Sequence, residues 1–444
     1  MGRPTPTVED IQPASPGPAW SPQIRILFRF CFVYLSLYAL ATQILGGLLL
    51  YPNFSFPAFG TSWPMLQVTT WCATHIFGVT PPLVHSGNSG DTAFYWVQTF
   101  WLLVVALIAT GIWSDFDRGQ TNYATLHKWF RLFVRFALAS QMFDYGMAKV
   151  IPTQFPAPSL VTLVEPVGHL SLTDMLWTSI GASPAYQMFT GWVEMLGGLL
   201  LIIPRTTLLG GLISAACMVE VFVLNMTYDF GLKQISFHLF LFSLFLIAPD
   251  VDRLLDLFLR DRVAAPPSDP ALFSTRRANR NTFVAQMLLA AYLLAMYANI
   301  SRNYWYNEGE PGSPKSPLYG IWNVEQLAVD GEVRSPLEND YDRRWRRVIF
   351  DSTSVIAFQR TDDSIAHYGG TVDESRRTIS LKKGNSRTWE SRFTYERPTE
   401  DRLTLDGDMD GYRIHAQLQR VDLDTFRLLG SRFRWVRPPD PSGG

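Results

Sequence analysis

The stretch GWVEMLGGLLLIIPRTTLLGGLISAACM, residues 191–218, sets two apolar runs on either side of a Pro204-Arg205 break. Read with their flanks, 185–203 and 206–226, both runs are too long and too uniformly apolar for strands. At 1.5 Å per residue each reaches about 30 Å, the thickness of a bilayer core. The stretch therefore predicts a helical hairpin in a membrane. Small residues at Gly197-Gly198 and Gly210-Gly211 suit close helix packing without a hydrophobic driving force between the helices. One carboxylate, Glu194, sits near the middle of the first run.

Working outward, similar runs occur at 26–50, 94–113, 129–150, 234–249 and 281–300. The expected architecture is an α-helical membrane bundle of about seven spans, six or eight being the alternatives, followed by an all-β exoplasmic barrel. Lys and Arg alternate with the spans. Arg25 and Arg29 precede the first, and Arg118, Lys128, Arg131 and Arg135 lie between the second and third. Arg205 is in the tight turn, and six arginines from Arg253 to Arg280 precede the last. Loops 51–93 and 151–184 carry no Lys or Arg, and 227–233 carries only Lys233. By the positive-inside bias the N-terminus is cytoplasmic and the C-terminal domain periplasmic, in a bacterial-type inner membrane.

Residues 1–22, rich in Pro and Ser, read as a disordered lead, and 23–303 as the transmembrane domain. The segment 304–317 reads as a Pro/Gly/Ser linker, 318–437 as a β-domain and 438–444 as a disordered tail. In the first outer loop, TSWPMLQVTTWCATHIFGV suits a short interfacial helix, and Asp91 suits a cap on the second span. Asn53-Phe-Ser fits a glycosylation sequon. After the linker come the alternating runs LYGIWNVEQLAVDG, RRVIFD, TSVIAFQ, RTISLKK, RTWESRFTYE, RLTLDGDM, YRIHAQLQRV and FRLLGSRFRWV. These predict an antiparallel barrel or sandwich. Gly320-x-Trp322 resembles the opening of lipocalins, which implies a barrel that either holds a hydrophobic ligand or is filled by its own side chains.

The chain of 444 residues is 47% hydrophobic and 17% charged, with a net charge of −1, so it has no basic footprint for nucleic acid. Its three cysteines, Cys31, Cys72 and Cys217, form no C-x-x-C pair, so a dithiol relay or structural zinc site is not supported. No haem, flavin, iron–sulfur or nicotinamide motif is present, and no metal is expected. Charges inside spans mark sites or paired interiors. Asp144 and Lys149 share the third span but lie about 140° apart around it, so each needs a partner elsewhere. Asp144, Lys149, Glu220 and His238 collect toward the outer half, with Tyr145 beside them and Glu194 at mid-depth. Against a site stand simpler readings. Lys149 can snorkel to the headgroups, Asp144 and Glu220 can form interhelical ion pairs, and Glu194 and His238 can be merely hydrogen-bonded.

YGMAKVIPTQF followed by the 191–218 hairpin resembles the DoxX/DoxD-like membrane proteins, which pair a Gly-x-x-Lys helix end with a Glu-x-x-Gly-Gly helix. That resemblance covers roughly residues 125–250. DoxD-type relatives belong to a thiosulfate:quinone oxidoreductase, so it implies a quinone and a redox partner protein. Gly146 and Lys149 are also similar to the Gly-x-x-Lys of the vitamin K-dependent γ-carboxylase membrane domain, where the lysine acts as a base. The resulting expectation is a quinone- or isoprenoid-binding subunit of a membrane oxidoreductase. In it Lys149, Asp144 and Glu194 act in catalysis, and Glu220, His238 and Tyr145 bind the cofactor. The alternative is a non-enzymatic protein that binds lipid or another hydrophobic small molecule through its barrel.

Overall fold

The computed structural model describes residues 19–52, 54, 56–83, 90–260, 262–263, 271–307, 314–335, 344–384, 389–430 and 435–436. Most of the lead, Asn53 of the sequon, the linker residues 308–313 and the 438–444 tail lie outside the described residues. Two compact units divide the chain. The first is Met1–Met147 with Gly191–Ala298, and the second is Ala148–Thr190 with Asn299–Gly444.

The first unit is helical. It contains α1 (Pro22–Ala41), α2 (Gln43–Leu48), α3 (Met65–His75), α4 (Ala93–Phe116) and most of α5 (Ala124–Val150). A further helix, α6 (Leu172–Gly181), belongs to the second unit. Returning to the first, the chain adds most of α7 (Pro184–Ile202), then α8 (Thr207–Thr227), α9 (Lys233–Ile247), α10 (Val251–Phe258) and most of α11 (Arg276–Asn307). Five segments are long and apolar enough to cross a membrane: Pro22–Ala41, Ala93–Phe116, Pro204–Thr227, Lys233–Phe258 and Arg276–Asn307. The more polar α5 and α7 are helices of 27 and 19 residues.

Local chemistry sets several boundaries. The Ser21 hydroxyl accepts the Ile24 N–H and Pro22 opens the helix, so α1 starts there. The expected 26–50 span is not continuous. Thr42 is extended at φ −109°, ψ −178°, which ends α1 before α2 begins, and its hydroxyl donates to the Tyr38 carbonyl at 2.8 Å. The α7–α8 hairpin closes on glycines. A Cβ on Gly197 would lie 2.9 Å from Ser214 Oγ, and one on Gly210 would lie 2.7 Å from the Leu201 nitrogen. Arg135, buried in α5, donates to the carbonyls of Leu201 and Ile202 at 2.8 and 2.6 Å and so caps the end of α7. The short helix expected within residues 51–93 is present as α3, which packs on α4 through Cys72, Ala73 and Val97.

The second unit is built on a sheet of nine strands, all paired antiparallel. They are β1 (Gly320–Val329), β2 (Glu332–Val333), β3 (Trp345–Phe350), β4 (Val355–Arg360), β5 (Ile365–Asp373), β6 (Thr378–Lys382), β7 (Glu390–Thr399), β8 (Arg402–Met409) and β9 (Tyr412–Arg420). Neighbours follow sequence order from β3 to β9, and β9 returns to β1 with Trp322 opposite Arg420 and Val329 opposite Ile414. Eight strands thus close a barrel, and β2 is a short flap on the end of β1. Asp410-Gly411, both at positive φ, make the two-residue turn between β8 and β9.

The barrel interior is filled by Trp322, Leu327, Val348, Phe350, Phe358, Leu381, Phe393 and Leu405, among others. Two expectations need correction. β5, IAHYGGTVD, is a strand that the expected runs do not include. Gly370 makes room there for Ile356, whose Cδ1 would stand 2.6 Å from an added Cβ and would have to shift. Conversely, Arg427–Gly430 of the last expected strand is a short helix, α12, and 431–434 lie outside the described residues. The segment 151–184, expected as a bundle loop, packs on the barrel. Leu160 and Val161 cluster with Ile321, Ile349 and Ala357, and the Leu160 N–H donates to Asp351 Oδ1 at 3.0 Å.

Candidate functional site

The helical unit holds a buried polar network where α2, α5 and α11 meet. Gln43 Nε2 is 2.9 Å from both Gln141 Oε1 and the Tyr145 hydroxyl oxygen. Tyr297 donates to the Gly47 carbonyl at 3.1 Å and is hydrogen-bonded to Ser140. Gly47 leaves room for the network: a Cβ there would lie 2.5 Å from Gln141 Nε2 and 2.7 Å from the Tyr297 hydroxyl, and both side-chain ends would have to shift. Such clustering is expected where no water is available to satisfy polar groups.

Two carboxylates flank this network. Asp144 is half-buried and acts electrostatically on Tyr145 and Tyr297, and Glu194, 3% exposed, acts on Tyr145. Close contact between α5 and α7 brings Glu194 in. A Cβ on Gly146 would stand 3.0 Å from the Gly191 carbonyl oxygen, and one on Gly198 would stand 2.7 Å from the Phe143 ring. Glu194 lies between those two glycine contacts on α7. Asp144, Lys149, Glu194 and Glu220 all have hydrogen-bonded or electrostatic partners, so none is a bare charge.

His238 belongs to an adjoining cluster on α1 and α9. Its Nδ1 is 2.7 Å from the Gln234 carbonyl oxygen, which can only accept, so Nδ1 carries the proton. Nε2 then accepts from the Tyr34 hydroxyl at 2.8 Å. The ring stacks on Tyr38 at 3.5 Å and 7° and is 3% exposed. Both nitrogens are engaged, so proton exchange between His238 and a ligand must run through Tyr34 or displace it. Tyr38 lies within electrostatic reach of Tyr145, which links the two clusters.

Asp91 anchors this second cluster. It does not cap its own helix: α4 starts at Thr92 without a side-chain cap. Instead its carboxylate accepts the Lys233 and Gln234 N–H groups at 2.6 and 3.0 Å, at the start of α9. Thr99 donates to Gln234 Oε1 at 2.6 Å, fixing the same turn.

Of the six residues singled out in the sequence, Asp144, Tyr145 and Glu194 come together around one network. His238 stands in the neighbouring cluster. Glu220 is on the exposed face of α8, and Lys149, 6% exposed, falls in the second unit. Gln43, Gln141, Tyr297, Tyr34 and Tyr38 carry no charge and are not among the expected site residues. Their signal was available as neutral polar side chains inside apolar runs, with Tyr34 and Tyr38 one helical turn apart. Among the described residues no three His, Cys, Asp or Glu side chains lie together as metal ligands.

The barrel has its own recess, a cavity of about 270 Å³ lined by Trp345, Phe358, Tyr368, Met409 and Tyr412, with Arg360 and Lys383 also on its wall. Tyr368 stacks on Trp389, whose indole donates to Asp410 at 2.7 Å. Burial raises the Tyr368 hydroxyl above its ordinary value of 10.0, so it stays a donor at neutral pH.

No protein-family model and no solved structure matches the chain, so the resemblances to DoxX/DoxD proteins, lipocalins and γ-carboxylase rest on the motifs quoted above. Over 134 residues, 30% of its length, the chain is 33% identical to the uncharacterized protein YwoB of Bacillus subtilis (strain 168), covering 82% of that protein. At that identity and coverage, the chain belongs to the same protein family as YwoB.

Proposed function

We propose that the chain is a seven-span inner-membrane protein, N-terminus cytoplasmic and barrel periplasmic, and that its helical unit binds a quinone or a similar isoprenoid as part of a membrane oxidoreductase. The observation that carries this is the buried Gln43–Gln141–Tyr145 network with Asp144 and Glu194 beside it. A quinone head offers two carbonyl acceptors, and amide and phenol donors suit them. Carboxylates suit the proton exchange that accompanies reduction. Five apolar helices and the alternation of Lys and Arg between loops support the membrane reading. A redox partner protein would supply electrons, since the chain carries no redox motif of its own.

The test is purification from the native membrane in mild detergent, followed by mass spectrometry of the extracted small molecules. Stoichiometric quinone in the wild type and its loss in Glu194→Gln, with folding unchanged, is the expected result. Wild-type protein carrying only bulk phospholipid would overturn the proposal. A second reading, hydrophobic-ligand binding by the barrel, is favoured by the aromatic recess at Trp345 and Tyr368. Ala366→Trp, which fills that recess, would abolish this binding and spare any quinone in the helices.

A further inference from the structure

Arginines gather near the ends of α5, α7 and α9, and the fold uses them unequally. Arg29 is committed to Tyr123, Ser114 and the Asp117 carbonyl. Arg135 is committed to the end of α7. Arg131 and Arg253 share one carboxylate, Asp250, with Arg131 Nη2 3.4 Å from Oδ2. Arg205, exposed in the α7–α8 turn, has no hydrogen bond or ion pair among the described residues.

Arg131, Arg205, Arg253 and Asp250 line one cavity of about 310 Å³, three guanidinium groups against a single carboxylate. The rest of its wall is apolar: Leu208, Leu209 and Leu212 on α8, and Leu254, Leu257 and Phe258 on α10. From Arg205 to Leu212 the wall descends about 10 Å along α8. On α10 the spacing 254, 257, 258 puts the three apolar side chains on one face, with Asp252 and Asp256 on the other, paired with Arg260. Leu209, Leu257 and Phe258 are exposed in the chain alone.

We infer that this recess is a binding site for an anionic phospholipid, its phosphate held between Arg205 and Arg253 and its first methylenes laid along Leu209, Leu212 and Phe258. Excess positive charge at a helix end above an apolar wall matches that amphiphile and no simpler anion, because a free phosphate has no use for the leucines. The inference rests on the membrane reading, and on the basic helix ends facing the cytoplasmic leaflet, where anionic lipids collect.

Alkaline carbonate washing of membranes comes first. Retention of the chain in the membrane upholds the membrane reading whatever follows, so the two claims fail separately. Purified full-length protein is then titrated with dioctanoyl phosphatidylglycerol, dioctanoyl phosphatidylcholine or inorganic phosphate and read by native mass spectrometry. The phosphatidylglycerol adduct should dominate and weaken about 30-fold in Arg205→Gln/Arg253→Gln. Arg205→Gln alone, which breaks no contact, should weaken it about fivefold, and Arg118→Gln, an exposed control, should leave it unchanged. Equal retention of the two lipids, identical affinity in Arg205→Gln, or binding of phosphate as tight as the lipid would each overturn the proposal.

Discussion

Replacing Asp91 by Ala tests whether α9, and with it His238, is held in place from the segment that precedes α4. The Asp91 carboxylate accepts two backbone N–H groups, at 2.6 and 3.0 Å, and lies 3.9 Å from Lys233 Nζ. Hydrogen bonds to a charged acceptor are worth about 1.5–3 kcal/mol each. Water reaching the freed N–H groups at the helix end recovers part of this, so the net loss is about 3 kcal/mol. For a helical unit of this size that is a fall in melting temperature of about 6–12 °C. All three cysteines, Cys31, Cys72 and Cys217, lie in the helical unit, and Cys72 is buried. A thiol-reactive fluorophore in detergent therefore reports melting of the helices without the barrel. Asp91→Asn keeps one acceptor and should fall about half as far. A shift below about 2 °C for Asp91→Ala, or equal shifts for Ala and Asn, would refute the reasoning.

Tyr34→Phe strips the buried Nε2 of His238 of its donor and should cost about 1–3 kcal/mol in the same thiol assay, with Tyr38→Phe, which keeps the stack, costing less. Gly407→Ala places a Cβ 2.3 Å from the Arg392 carbonyl oxygen, a backbone atom that cannot swing away, and should destabilise the barrel by about 1–3 kcal/mol in pulse proteolysis. Burial raises the Asp351 carboxyl above 3.8, so the folded chain is the tighter proton binder. Stability from this group is therefore full below pH 3.8 and lost as pH rises through the folded-state value. Asp351→Asn should then be the more stable protein at pH 7 and match the wild type at pH 3, and equal stability at both pH values would count against it.

The periodicity of the hydrophobic runs carried the helices of the first unit and most of the barrel strands, because both depend on patterns repeated over many residues. What escaped depends on single close approaches. α1 ends at Thr42, whose extended backbone splits the 26–50 run in a way that no hydropathy pattern records. In β5, Gly370 leaves space for Ile356, and such a close approach across strands leaves no mark in the alternation of the sequence. The 151–184 segment has the charge pattern of a loop between spans. Its docking is decided by Leu160, Val161 and the Asp351 carboxylate, nearly two hundred residues away in the chain.

The candidate site was legible only through its charges, and charges proved an uneven guide. A charge in an apolar helix must be satisfied, but the satisfying partner decides whether it is a site. Arg135 is absorbed by the carbonyl end of α7, Arg29 by a phenol, a hydroxyl and a carbonyl, and Asp91 by the amide end of α9. Arg135 and Asp91 each satisfy an orphaned helix end and Arg29 ties α1 to the 114–123 segment, so a structural duty accounts for each. Asp144 and Glu194 act on a network built of amide and phenol groups, on Gln43, Gln141, Tyr145 and Tyr297. Neutral donors can turn toward a ligand carbonyl at the cost of one exchanged hydrogen bond, where breaking a helix cap leaves backbone groups bare. A ligand head with two acceptors can therefore enter the Tyr145 network far more cheaply than it can displace Arg135, and the search for bound quinone belongs there.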